Sequence, residues 1–225
     1  MGEIEHVIMR SGMYIGSIRE EEKDFFVYSV DNAQMSWEPI KYVPGILKII
    51  DEVISNSCDE YRRPNNMGLS KVTVTVDNSG FVKITDNGGI PVVMHQDAGV
   101  YVPEFIFGQL RTSSNYNDSE DRDVIGTNGI GSKIASIFAT KFNVYTADGN
   151  KSYSRSWSNN MRNLDDNLVV KDCKRHFTEI SFNIDFDKFD DVTSLSDGFI
   201  NIIEKRCIDA AAANTGLDVT FIHTN

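Results

Sequence analysis

Between Gly45 and Arg62, apolar residues recur every three or four positions. Ile46, Ile49, Ile50, Val53 and Ile54 share one stripe, and Pro44 stands where a helix begins. This spacing predicts a helix with one buried face. Glu52, Asn56 and Asp59 then lie at i, i+4 and i+7, so two carboxylates and a carboxamide project together beside the apolar stripe. The next segment, KVTVTVDNSGFVKITDNGG from Lys71 to Gly89, holds two alternating runs split by DNSG, a β-hairpin signal. With period two, Val82, Ile84 and Asp86 point to one side of the second strand. If that side is covered, Asp86 is an inward carboxylate that needs a hydrogen-bond donor. The glycines after it form a turn that brings backbone close to whatever fills the space.

The pattern continues with a short apolar helix over residues 102 to 110, after Pro103. Residues 111 to 123 are polar and aperiodic, a loop long enough to act as a lid or binding segment. Ile134, Ile137 and Phe138 fit a short buried helix. A hairpin about DGN follows, with Tyr153, Arg155 and Trp157 alternating against serines. FTEISFNI reads as a strand. Phe199, Ile202, Ile203, Cys207 and Ala210 form one helical stripe ending at Gly216 as a C-cap, and LDVTFIH reads as a last strand. Helices and antiparallel hairpins segregate, so the expected fold is α+β, a mixed and mostly antiparallel sheet with helices on one face. No internal repeat interrupts it.

Composition narrows the class. The 225 residues are 40% hydrophobic and 24% charged, enough for one full core, and the whole chain 1–225 reads as a single domain. No apolar run reaches membrane-spanning length, and MGEIEHVIMR lacks a secretory pattern; the reading places the chain inside the cell with no membrane partner. Cys58, Cys173 and Cys207 have no CxxC spacing and are expected to pack as small hydrophobes. The net charge of -11 repels nucleic acid, so DNA contact requires a partner domain or a local basic patch. His6, His95, His176 and His223 share no metal or nucleophile spacing. Lys171, Lys174 and Arg175 read as a solvated turn, and Trp37 and Trp157 as packing residues.

The candidate chemistry centres on GTNGIGSK, residues 126 to 133. Gly126, Gly129 and Gly131 follow GxxGxG and open a helix. Glycines let backbone amides approach an anion, and Lys133 can add a point charge. The spacing is the reverse of a Rossmann GxGxxG, and Ser132 precedes Lys133 where a P-loop has the opposite order. Taken alone, GxxGxG is equally a glycine-rich turn without a ligand.

Three signals in order change that balance. Glu52 with Asn56 on a helix, Asp86 before a glycine turn, and GxxGxG opening a helix together resemble the nucleotide-binding motifs of the GHKL ATPases. MRSGMYIGS, YVPGILKIIDEVISNSCDE, YVPEFIFGQLRTSSNYND and GTNGIGSKIASIFATKF are similar to the ATPase domain of type IIA DNA topoisomerases, in a viral, phage or eukaryote-like branch. The resemblance runs from about His6 to the end of the sequence. It implies an N-terminal strap over residues 1–18, a single GHKL (Bergerat-type) domain and no transducer domain.

It implies roles as well. Glu52 is the general base, Asn56 the Mg²⁺ ligand, and Asp86 the acceptor of the adenine amino group. Gly88 belongs to the turn beside the base. Ser113, Ser114 and Asn115 touch ribose and phosphate, and Gly126, Thr127, Asn128, Gly129, Ile130, Gly131, Ser132 and Lys133 cradle the phosphates. Tyr14 and Ile15 match a segment near the dimer contact. ATP and Mg²⁺ are the implied cofactors, with homodimerisation on ATP binding and DNA engaged through the full-length parent protein. One departure is visible: where the family carries a basic residue between two glycines, this chain reads DNGGIP, one residue shorter. An ion pair from that position to Asp59 or Glu60 is therefore not expected, and the equivalence of Gly88 and Gly89 is open. The family's phosphate-sensing lysine lies beyond Asn225, so the isolated chain is expected to bind ATP better than it hydrolyses it. The alternatives are a mismatch-repair or chaperone type of GHKL ATPase, or a nucleotide-binding interaction module without hydrolysis.

Overall fold

The computed structural model describes residues 2–29, 33–109 and 131–224. Acidic Glu3 and Glu5 occupy the first turn of α1 (Glu3–Met9), where the helix dipole favours negative charge, and Val7 is its buried anchor. A 3-10 turn at Ser11–Met13 leads into a two-stranded ribbon, β1 (Glu21–Ser29) with β2 (Gln34–Tyr42). Alternation gives that ribbon two unlike faces. Val27 and Ile40 are buried, whereas Phe26 and Trp37 pair on the outer side, with ring centroids 5.5 Å apart. Trp37 is 71% exposed and is not the packing residue expected of it, because nothing in the described chain covers that face of the ribbon.

Pro44 opens α2 (Pro44–Arg62), and its stripe of Ile46, Ile49, Ile50, Val53 and Ile54 is buried as the spacing predicts. The hairpin of β3 (Lys71–Asp77) and β4 (Phe81–Asp86) is antiparallel, with Val82, Ile84 and Asp86 all buried on one side. α3 (Val102–Gly108) and α4 (Gly131–Ile137) follow, then β5 (Ala139–Asp148), β6 (Lys151–Ser158), the short β7 (Asn163–Leu164), β8 (Val169–Asp172) and β9 (His176–Ile184). α5 (Asp197–Ala213) and β10 (Asp218–Thr224) complete the fold. Ser196 caps α5 by accepting the Phe199 N–H, and the helix stops at Ala213 with Asn214, rather than Gly216, as its cap.

The eight-stranded sheet runs β10-β3-β4-β9-β5-β6-β7, with β8 also on β6. β10 pairs parallel to β3 and every other neighbour is antiparallel, so the sheet is mixed and mostly antiparallel. Val74, Ile84, Ile180, Phe182 and Phe142 line the face that meets the helices, and this is the core. On β6 the alternation is incomplete. Tyr153 and Trp157 are buried, but so are Ser152 and Ser156; at Ser156, Asn167 folds back to accept its N–H at 3.2 Å and to donate to its Oγ. Cys58 and Cys207 are buried and Cys173 half-buried. Lys171, Lys174 and Arg175 are exposed. No described helix is long and apolar enough to cross a membrane.

Candidate active site

Asp86 ends β4 beneath α2, 8% exposed. Its two oxygens have separate partners: Ser57 Oγ on α2 donates to Oδ2 at 3.0 Å, and the Gly88 N–H donates to Oδ1 at 3.0 Å. Burial pushes the carboxyl up to about 6. The Ser57 and Gly88 hydrogen bonds and the Thr178 N–H oppose that rise, while Glu60 adds to it. The donors that an inward Asp86 requires are therefore present.

The turn after Asp86 is built for close approach. Asn87 Oδ1 accepts the Ser70 and Lys71 N–H groups at 2.9 and 2.8 Å. A Cβ on Gly89 would overlap the Ala147 carbonyl oxygen of β5, so no other residue fits there without moving the strand. Beyond it, the Ile90 N–H donates to Thr146 Oγ1 at 3.0 Å and the Val92 N–H to Asp148 Oδ2 at 2.8 Å. The shortened DNGGIP turn and the residue after it are thus tied by their backbone N–H groups to the Thr146 and Asp148 side chains of β5. Glu60 finds its cation just past the end of its own helix, pairing with Arg63, the C-cap of α2, at 3.0 Å.

Glu52 lies against the start of α4, its side chain 20% exposed. Oε1 is bonded to Lys48 Nζ one turn earlier on α2. Oε2 lies where a side chain on Gly131 would be, so a Cβ at Gly131 would overlap the carboxylate. The last glycine of the loop therefore lets the start of α4 reach Glu52. Ser132 Oγ donates to the Ile106 carbonyl at 3.1 Å and ties α4 to α3. Lys133 is 2% exposed, and burial lowers its ammonium to about 8; the described lining of the cavity includes Ser132 and not Lys133.

Asp86 lines a cavity of about 390 Å³ together with Asn56, Ser57, Ile106, Ser132 and Ile180; Glu52 is not in its described lining, although its chain neighbour Val53 is. The cavity's volume suits a small organic ligand, with apolar walls and a few convergent polar groups. A second cavity of about 420 Å³ shares Glu60, Arg63, Gly89, Ile90 and Ile106 with it. Asn56, Asp86 and Ser132 thus line one cavity, Gly88 bonds to Asp86, and Glu52 meets Gly131, the neighbour of Ser132. Ser113, Ser114, Asn115, Gly126, Thr127, Asn128, Gly129 and Ile130 lie outside the described residues. Ser57 and Lys48 are site neighbours that sequence reasoning missed. Ser57 had a signal: with Ile46, Ile50 and Val53 it completes the 4-3-4 spacing of the buried stripe, where a hydroxyl needs a partner.

No protein-family model matches the chain. DNA topoisomerase 2 top-2 of Caenorhabditis elegans is 36% identical over 220 residues, and DNA topoisomerase 2 of Arabidopsis thaliana 37% identical over 213. These alignments cover 96% and 93% of this chain. The ATPase region of Saccharomyces cerevisiae topoisomerase II superposes with a TM-score of 0.89 at 29% identity, over 98% of this chain and 59% of that one. The chain belongs to the ATPase region of the type II topoisomerases. A structure of the ATPase and transducer domains of DNA topoisomerase II from Balamuthia mandrillaris agrees, with a TM-score of 0.89, 34% identity and 98% of this chain covered against 58% of that one. The topoisomerase homologue described here spans 14% of the length of the two curated relatives. Its fold is accordingly the GHKL fold, and the cavity between α2, α4 and β4 lies within that ATPase region.

Proposed function

We propose that the cavity binds ATP with Mg²⁺ and that the chain hydrolyses it as the N-terminal, ATP-dependent dimerisation gate of a type IIA DNA topoisomerase. What supports the reading is a cavity lined by Asp86, Asn56 and Ser132, with Asp86 buried and hydrogen-bonded, and a second, partly solvated carboxylate, Glu52, on the same helix as Asn56 and against the glycine that opens α4. Asp86 accepts the adenine amino hydrogen. Glu52 orients a water for in-line attack on the γ-phosphorus and takes the proton that the water gives up, while the bond to the bridging oxygen breaks and ADP leaves with the electron pair. Lys48 occupies one Glu52 oxygen and leaves the other toward Gly131.

The donor set fits Mg²⁺ as a shared ion. No described group of three or more His, Cys, Asp or Glu side chains could hold a metal, and the Asn56 carbonyl oxygen would bind the ion together with the phosphates. When bound, the ion neutralises developing phosphate charge. Gly88 shapes the base end. Ser113, Ser114, Asn115 and the 126–133 loop complete the ribose and phosphate contacts. Residues 1–18 act as a strap to a second copy, 1–225 form one domain, and a transducer domain supplies the phosphate-sensing lysine. The full-length protein works inside the cell, and DNA reaches the gate through its other domains.

Phosphate release and light scattering on the full-length protein test the reading. Glu52→Ala should bind ATP nearly as wild type does, lose on the order of 10²- to 10⁴-fold in turnover, and accumulate as an ATP-bound dimer. Wild-type turnover in the variant would refute the assignment of Glu52, and an inactive variant that never dimerises would refute the gate.

A further inference from the structure

The described lining of the 390 Å³ cavity carries three carboxylates, Asp59, Glu60 and Asp86, and one cation, Arg63. Carboxylates alone would repel a polyanion from such a cavity. The turn after Asp86 leaves no room for a second cation. A Cβ on Gly89 would overlap the Ala147 carbonyl oxygen, one on Gly88 would press on Leu69, and the Asn87 side chain accepts the Ser70 and Lys71 N–H groups. The cation comes instead from the end of α2, where Pro64 stops the helix and Arg63 is extended, with φ -73° and ψ 143°. Two arginines stand there, and they face different ways. Arg62 donates from Nε to Asn214 Oδ1 beyond α5 at 2.8 Å, whereas Arg63 pairs with Glu60 Oε2 at 3.0 Å and, with it, lines both cavities.

We infer that Arg63 is the charge-balancing residue of this cavity: its guanidinium neutralises Glu60, so that an anionic nucleotide can enter and stay. The inference rests on the reading of the cavity as an ATP site. The Arg63 and Glu60 side chains are 57% and 30% exposed, so their pair adds little to folding. It matters more to a ligand with several negative charges, because each of those charges feels an unpaired carboxylate in the wall. Arg63 thus acts on the nucleotide through Glu60 and not by holding a phosphate. A guanidinium that only tied off the end of α2 would have no link to ligand charge.

The test is the affinity of the full-length protein for a non-hydrolysable ATP analogue with Mg²⁺, by calorimetry at about 0.05 M and about 0.5 M salt, which screen charge weakly and strongly. Arg63→Ala should bind roughly three- to tenfold more weakly than wild type at the lower salt and within about twofold of it at the higher, the behaviour of one unpaired charge beside a polyanion. Arg63→Lys, which keeps the charge, should restore the low-salt affinity. The double variant Arg63→Ala with Glu60→Gln should also return to within about twofold of wild type, because it removes the carboxylate together with its partner. No loss in Arg63→Ala at low salt, a loss that salt leaves unchanged, or one that Glu60→Gln does not relieve would each overturn the inference. If Asp86→Asn binds the analogue as wild type does, the base site itself is wrong. If that variant loses affinity while Arg63→Ala does not, only the role of Arg63 falls.

Discussion

Asp86 in the cavity and Glu52 at the start of α4 are carboxylates in opposite circumstances. Asp86 is 8% exposed, held by Ser57 and Gly88, and raised to about 6 by burial. Glu52 keeps a 20% exposed side chain and touches a half-exposed lysine and a glycine. Recognition of a neutral base demands a fixed acceptor in low dielectric, where an unmatched partner is costly. Proton abstraction from water demands access to water and freedom to exchange a proton. On the proposed roles, the difference teaches that one α2–β4 scaffold would serve both tasks by grading burial along its length, and each carboxylate should fail in its own way.

After the loss of Glu52 itself, the largest effect is expected at Gly131. Gly131→Ala places a methyl group on the Glu52 carboxylate and displaces it from α4. Turnover should fall about 10²-fold, the scale of a displacement of about 1 Å in a reacting group, while ATP affinity stays within a few-fold. Steady-state phosphate release beside calorimetry reads both numbers, and a loss confined to affinity would erase the distinction between the two carboxylates.

Asp86→Asn inverts that pattern. The amide can turn a donor toward the base, so ATP affinity should fall about tenfold to a hundredfold, the range for an unmatched buried polar group. Urea melts should show the fold retained.

The same residue sharpens the comparison through stability. The folded pKa of Asp86, about 6, stands above its ordinary 3.8, so folding favours the protonated carboxyl. That contribution is fully present below about pH 3.8 and is lost as the pH rises through about 6. Relative to Asp86→Asn, the wild-type apo protein should lose about 2 kcal/mol, roughly thirtyfold in the folding constant, between pH 4 and pH 7. No pH-dependent difference in urea unfolding would mean that Asp86 is better solvated than its surroundings imply. The base end thus trades stability for recognition.

The smallest effect belongs to Asn56. Asn56→Ala should weaken ATP binding roughly tenfold with Mg²⁺, the equivalent of one lost ligand bond, and less without it. Equal losses in both conditions would make Asn56 a structural residue.

Much of this was legible in the sequence because the relevant periods are local. The α2 stripe fixed which side Glu52 and Asn56 share, and period two along β4 turned Asp86 inward. Contacts between distant elements were not legible. Nothing near Glu52 in sequence announces Gly131, and nothing near Gly89 announces the Ala147 carbonyl; both are close approaches created by packing. The β1–β2 ribbon is hard to read because Phe25 and Phe26 are adjacent and blur the alternation, and the exposure of Trp37 depends on a ribbon face that the described residues leave uncovered. The burial of Lys133 at the start of α4 is likewise not legible from its place beside the glycines.

A crystal structure of the full-length protein with a non-hydrolysable ATP analogue and Mg²⁺ tests the central claim most directly. The account predicts the 6-amino nitrogen within hydrogen-bond reach of Asp86, Mg²⁺ on the Asn56 carbonyl oxygen, and the γ-phosphate between the start of α4 and Glu52. A base bound away from Asp86, or a γ-phosphate out of reach of a water held by Glu52, would contradict it.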